Sequence, residues 1–211
     1  MRHALLQLAL GLAAVLPLAP MHAAAADIGI MPVAVHFDRS SDRATVQVVN
    51  NGAEPVIMQA EGIAWKRVSG VDQDASTSDL IVNPPIFTVQ PGQTQIVRLG
   101  LRRSGQNATE GTYRMVLKEV PPEAGTGAIG VSGQARVLVA LRVPVYVAPV
   151  AVQRQETWQA SRDARGNIVA HVSNSGNVHL KVGRLRLHNG DDRSAPMAEQ
   201  TVAPCCSRRA A

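Results

Sequence analysis

The chain has 211 residues, of which 45% are hydrophobic and 18% are charged, so a buried core is expected and a wholly disordered chain is excluded. Aromatic residues make up only 3%, too few for a nucleic-acid or sugar-binding surface built on stacked rings. The net charge of +5 comes from scattered residues that form no basic patch for nucleic acid. The only two cysteines, Cys205 and Cys206, exclude a disulfide framework and a four-cysteine metal site.

The first 26 residues have the pattern of a secretory signal peptide. Arg2 and His3 precede an apolar run from Leu5 to Leu18, and small residues follow at 23–26. The apolar run has about 14 residues, fewer than the roughly 20 that a membrane-spanning helix needs. We therefore expect cleavage before Asp27, export to the periplasm, and a mature chain that is soluble and not membrane-spanning.

From residue 28 to residue 147, short runs rich in Val and Ile alternate with turn residues, which is typical of an all-β protein. Residues 72–78 are polar and are predicted to form a loop. The pattern favours an immunoglobulin-like sandwich of about seven strands over residues 27–148. The predicted strand segments are Ile28–Phe37, Arg43–Val49, Pro55–Val68, Leu80–Val82, Ile86–Val89, Thr94–Leu101, Gly111–Val120 and Arg136–Val147.

A second β domain is predicted over residues 149–203, after the boundary at Pro149. Asn167–Val172 and Val178–Leu187 have the composition of strands and are separated by turn residues. A complete sandwich takes about 100 residues, so this domain is expected to be short or truncated. Residues 204–211 show no periodicity and are predicted to be a loose tail.

The predicted strand Arg136–Val147 is the longest in the chain and is unusually apolar. Its odd positions from Val137 to Val147 are all apolar, and Leu138 and Ala140 on the other face are apolar as well. One interpretation is a central strand that is buried on both faces. The other is an edge strand that adds its backbone and alternate side chains to the sheet of a partner protein.

Three segments, in this order along the chain, resemble the periplasmic pilus-assembly chaperones of the chaperone–usher system. The second contains a double proline, an apolar quartet and a Pro-Gly turn that look very like the family signature. The Pro-Pro-Ile-Phe form at 84–87 and the Val-Pro-Val-Tyr-Val ending at 143–147 look closer to the archaic branch, whose subunits resemble spore-coat-type pilins. The three segments are Ala44–Val56, Leu80–Arg98 and Tyr113–Pro122.

The resemblance implies two immunoglobulin-like domains set at an angle, with a pilus subunit held in the cleft and along the last strand of the first domain. It implies that this strand completes the subunit fold by donor-strand complementation. It also implies delivery of the subunit to an outer-membrane usher. The residues expected to contact the subunit are Val137, Val139, Leu141 and Val143.

The resemblance also concerns the C-terminal carboxylate of the subunit. Many family members hold it with an Arg in the first strand and a Lys near the end of the donor strand. Here these positions fall at Ala34 and at Val143 or Pro144, which cannot pair a carboxylate. Arg142 is the first candidate to replace them, followed by Arg114 and Arg98, because a guanidinium binds a carboxylate with two hydrogen bonds. A solvated arginine on the polar side of a strand is the alternative.

The sequence contains no zinc-protease, serine-hydrolase or phosphate-loop motif, so we expect no enzymatic activity, no cofactor and no metal site. His171, His179 and His188 have no partners at metal-ligand spacing and are predicted to lie on the surface. The main competing hypothesis is a secreted structural or adhesive β-sandwich protein, either pilin-like or glycan-binding. A central position of the strand Arg136–Val147 would favour that hypothesis.

Overall fold

A computed structural model describes residues 27–102, 107–121, 137–188 and 196–207, with side chains described as far as Val202. These residues form strands and connecting turns and contain no helix, which confirms the predicted all-β fold. It follows that no helix in these ranges has the length and apolar character to cross a membrane. The predicted signal peptide and the first residue of the predicted strand at Arg136 lie outside the described ranges.

The first domain is a two-sheet sandwich. Strands β1, β3, β8 and β6, in this order, form one sheet, and β2, β10, β9, β4 and β5 form the other, with β7 paired to β4. All neighbouring strands are antiparallel except β2 and β10. The ten strands are β1 (Ile28–Met31), β2 (Val35–Phe37), β3 (Arg43–Asn50), β4 (Val56–Val68), β5 (Val71–Ser76), β6 (Leu80–Asn83), β7 (Ile86–Val89), β8 (Thr94–Leu101), β9 (Gly111–Val120) and β10 (Ala140–Val147).

The core lies between the two sheets and is built from the inward positions of alternating strands. On β3 and β8, Val46 and Val97 are fully buried, whereas Arg98, the next residue along β8, is exposed on the outer face. Met115 and Leu117 face them from β9. Each such side chain stabilises the fold by about 1.5–3 kcal/mol when fully buried, so this alternation fixes which face of each strand points inward.

Two predicted elements differ from the structure. The segment Ile28–Phe37 is two strands in different sheets, because the chain crosses from one sheet to the other after Pro32. The predicted loop at 72–78 is largely β5, which pairs with β4 as a hairpin. The turn of this hairpin is Ser69-Gly70, and both residues have positive φ, 51° and 81°. Such two-residue turns match the twist of paired strands, so a polar sequence can still form a hairpin here.

The second domain contains two separate hairpins. Strands β11 (Glu156–Arg162) and β12 (Ile168–Asn174) form one, and β13 (Leu180–Leu187) and β14 (Ala198–Ser207) form the other. The predicted tail is wrong for its first residues, because β14 continues to Ser207, which pairs with Leu180. The sequence of β14 has no clear alternation of polar and apolar residues, so its strand conformation depends on pairing with β13.

The two domains are joined by polar and aromatic contacts. Asn177 donates to the main-chain oxygens of Ala108 in the first domain, at 2.8 Å, and of Ala151, at 2.7 Å. His179 Nδ1 lies 2.9 Å from Glu110 Oε2, and its ring stacks on Tyr146 at a centroid distance of 4.1 Å. The side chain of His179 is 16% exposed, so the prediction of a solvated surface histidine is wrong for this residue. A residue far along the chain supplies the burial that local sequence could not reveal.

Candidate functional site

Strand β10 lies at a sheet edge over most of its length. It pairs with β9 from Ala140 to Val147, but β2 covers its other side only from Val145 to Val147. In the described part of the chain, residues 140–144 therefore have a neighbouring strand on one side alone. Strand β10 is therefore an edge strand over residues 140–144 and a central strand over residues 145–147.

The backbone groups at this open edge can be assigned from the pairing. Glu119 N–H donates to the main-chain oxygen of Val139 at 2.8 Å, so the odd-numbered residues of β10 direct their polar groups toward β9. The N–H and C=O groups of Ala140 and Arg142 then point toward the open side. Pro144 has no N–H, and proline in a sheet is tolerated where no neighbouring strand needs that donor.

Along the core-facing row of this segment, exposure decreases toward the C-terminus. Val137 is 64% exposed. Val139 and Leu141 are half-buried, and Val143 is fully buried. Val143 belongs to the domain's own core, unlike the exposed partner contact expected from the sequence. The row that a partner can reach without rearrangement is therefore Val137, Val139 and Leu141, which we call the apolar row.

The outer face of the same sheet carries a cluster of charges. Arg114 on β9 forms salt bridges with Asp72 and, at 3.1 Å, with Asp74, and its guanidinium lies 4.0 Å from the ring centroid of Trp65. Arg142 on β10 also pairs with Asp74. The hairpin of β4 and β5 thus reaches across the sheet to hold both arginines.

Of the three arginines predicted as carboxylate anchors, Arg114 and Arg142 both pair with Asp74, whereas Arg98 lies apart from them. The side chain of Arg114 is 13% exposed and that of Arg142 is 53% exposed. Arg98 lies on the outer face of the other sheet, where it lines a shallow groove with Ile81 and Asn83. Only Arg142 combines an exposed guanidinium with a position beside the open edge.

The charge cluster should make stability depend on acid pH. The hydrogen bond from Arg114 is the main cause that lowers the pKa of Asp72 below its ordinary value of 3.8, and the nearby Arg67 and Arg142 lower it further. A carboxyl with a lowered folded-state pKa stabilises the fold above its ordinary pKa, and this contribution is lost as the pH falls toward the folded value. Asp72→Asn should therefore lower the denaturation midpoint at pH 7 and lose this effect near pH 2.

The matched control is Asp42→Asn, because Asp42 is an exposed carboxylate that lies 3.7 Å from the guanidinium of Arg43. Urea denaturation of both variants and the unchanged chain at several pH values measures the difference. An Asp72→Asn deficit that stays constant down to pH 2 would contradict the assigned ion pair.

The site residues that sequence reasoning missed had weak signals. Asp72 and Asp74 stood in an assumed loop, and only the Ser-Gly pair before them indicated a hairpin. Glu119 was not singled out, although its spacing from Met115 and Leu117 places it on the core-facing side of β9. A carboxylate at such a position is unusual and calls for a bonding partner.

Comparison with protein families identifies the fold of this domain and its class. Residues 27–153 match the model of the pili and flagellar-assembly chaperones, PapD N-terminal domain. The chain belongs to this chaperone family. The family is one of pilus-assembly chaperones with immunoglobulin-like domains and is not an enzyme family. In the ranges that the structure describes, no group of three or more His, Cys, Asp or Glu is placed to hold a metal ion.

Solved structures show the same fold at low sequence identity. The pre-assembly complex of CsuC with the tip adhesion subunit CsuE, from the archaic Csu pili of Acinetobacter baumannii, matches with 13% identity and a TM-score of 0.55, covering 74% of this chain and 80% of that chain. The Salmonella enterica SafA pilin complex with the SafB chaperone matches with 17% identity and a TM-score of 0.55, covering 83% and 82%. The E. coli chaperone DraB matches with 18% identity and a TM-score of 0.55, covering 83% and 84%. A comparison with curated proteins found no match.

Proposed function

We propose that this chaperone binds pilus subunits in the periplasm by adding the open edge of β10 to their incomplete fold, and that it delivers them to an outer-membrane usher. The observation that carries the proposal is the one-sided pairing of residues 140–144 next to the exposed apolar row. Related chaperones form complexes with a pilin and with a tip subunit, which supports the choice of partner. The likeness to CsuC and the Pro-Pro-Ile-Phe form support assignment to the archaic branch.

The physical basis is that an added strand satisfies two needs at once. A subunit without its last strand has unpaired backbone groups and an open apolar groove, and both favour aggregation. The open edge of β10 supplies hydrogen-bonding groups, and the apolar row supplies three side chains. Full burial of three exposed side chains of this size would contribute roughly 5–9 kcal/mol before the costs of association and ordering, and the gain here is smaller because Val139 and Leu141 are already half-buried.

Co-expression tests this proposal. The full chain, with its own N-terminus, is expressed in a bacterial host together with a pilus subunit whose gene lies beside the gene of this chain. We expect a soluble one-to-one complex in the periplasmic fraction, measured by size-exclusion chromatography with light scattering. Self-assembly or glycan binding without any subunit complex would instead favour the structural or adhesive alternative.

Arg142 is the residue that we propose to hold the C-terminal carboxylate of the subunit. Its exposed guanidinium uses Nη1 for Asp74, which leaves other donors for a second carboxylate. Hydrogen bonds to charged groups contribute about 1.5–3 kcal/mol, so Arg142→Ala should weaken subunit binding about 10- to 100-fold. Arg98→Ala, on the other sheet, is the matched control and should bind normally. Equal affinities for the two variants in a titration would exclude Arg142 as the anchor.

A further inference from the structure

The most exposed residues of the apolar row lie beyond the regular pairing of β10. The ladder between β9 and β10 begins at Ala140, which pairs with Lys118, whereas Val137 and Val139 precede it. One further hydrogen bond lies beyond the ladder, and in it Glu119 N–H donates to the main-chain oxygen of Val139. The N–H of Val139 donates to Glu119 Oε2 at 3.1 Å, in place of the main-chain oxygen that a regular antiparallel pair would use.

Glu119 is well placed to hold this segment. It is 7% exposed, lies on the core-facing side of β9, and is paired across the sheet with Met58, which is fully buried. A carboxylate in such surroundings is costly unless it accepts hydrogen bonds. The Val139 amide supplies one, so the side chain and the start of β10 are tied to each other.

We propose that Glu119 is a positioning residue for the segment that receives the subunit. Its carboxylate holds the Val139 amide, so that Val137 and Val139 stay in line with β10 before a partner arrives. A segment that is already extended has less conformational entropy to lose on binding, which strengthens the complex without a new contact. This inference rests on the proposed function for its effect on subunit binding, but the hold on Val139 is a property of the free chain.

Hydrogen exchange on the free, full-length chain tests the hold directly. In Glu119→Ala, the Val139 amide should exchange at least about tenfold faster, because its acceptor is gone. The Leu141 amide, which faces β9 within the regular ladder, should keep its protection and serves as the internal reference. If Glu119→Ala proves unstable, Glu119→Leu fills the buried volume without an acceptor and is measured instead. Unchanged exchange at Val139 would overturn the inference.

Subunit titration, with the same neighbouring pilus subunit, measures the effect on binding. We expect about tenfold weaker binding for Glu119→Ala and near-normal binding for Glu119→Gln, whose amide oxygen can accept the same hydrogen bond. Glu61→Ala is the matched control, because Glu61 is a carboxylate that pairs with Lys118 at 2.6 Å and is 41% exposed. Binding lost through general destabilisation of the sheet would be accompanied by faster exchange of the Leu141 amide, which the positioning role leaves unchanged.

The outcomes distinguish a failure of the positioning role from a failure of the proposed function. If the unchanged chain captures the subunit and Glu119→Ala captures it equally well, the positioning role is wrong and the proposed function stands. If the unchanged chain captures no subunit, the proposed function fails, and the exchange of the Val139 amide still decides whether Glu119 holds the segment.

Discussion

Replacing Val137 and Val139 together by Glu is expected to abolish subunit capture and to leave the first domain folded. Val137 is 64% exposed, whereas Val139 is half-buried and bonds Glu119 through its amide, so the fold of the variant is verified by circular dichroism before binding is measured. In the complex, both carboxylates would enter an apolar groove, where an unpaired charge costs several kcal/mol. Binding should fall by at least about 100-fold, which corresponds to roughly 2.7 kcal/mol. Co-purification and titration with the pilus subunit measure the loss.

The matched control for this variant is Leu138→Glu. Leu138 lies between the two substituted residues, is 47% exposed and belongs to the opposite row, so its side chain should stay outside the groove. Leu141→Glu would test the apolar row as well, but Leu141 packs partly against the core, and the change would also lower stability. Capture of the subunit by the double variant would show that the row does not enter it.

Phe37→Ala is expected to cause the largest loss of stability. Phe37 is 1% exposed and ends β2, and its main-chain oxygen accepts a hydrogen bond from Ala148 N–H at 2.9 Å. Removing a buried phenylalanine side chain costs about 3–5 kcal/mol through lost burial and the remaining cavity. Because β2 covers the last part of β10, loss of its anchor should also loosen the closed end of that strand. Urea denaturation measures the free energy of unfolding.

Val33→Ala is the control for the same segment. Val33 is 71% exposed, and its truncation should change the free energy of unfolding by less than about 0.5 kcal/mol. A loss below about 1 kcal/mol for Phe37→Ala would mean that β2 contributes little to the core, in contrast to its burial in the structure.

The sequence predicted the parts of the fold that depend on local alternation. In β3, exposed and buried residues alternate from Thr45 to Val48, and the double proline and turn residues separate the neighbouring strands. The division of the predicted first strand into β1 and β2, which lie in different sheets, could not be predicted. It depends on the pairing of β2 with the distant end of β10. Alternation gives the faces of a strand but not its neighbours.

The candidate site was predictable to a similar extent. Alternation placed Val137, Val139, Leu141 and Val143 in one row, but where that row enters the core depends on the opposite sheet. The pairing of Arg142 with Asp74 joins residues that are 68 positions apart in the chain. Such contacts arise from the twist and reach of a hairpin, which residue spacing does not encode.

Pro144 limits how far along β10 an incoming strand can pair. The proline has no amide hydrogen, and from Val145 onward β2 already pairs with the side of β10 that a partner strand would use. Among the residues that the structure describes, these two features leave Arg142 as the last residue of β10 whose amide an added strand could use. A fixed end to the pairing sets the register between β10 and the partner strand. That register decides which side chains of the partner strand contact Leu141, Val139 and Val137.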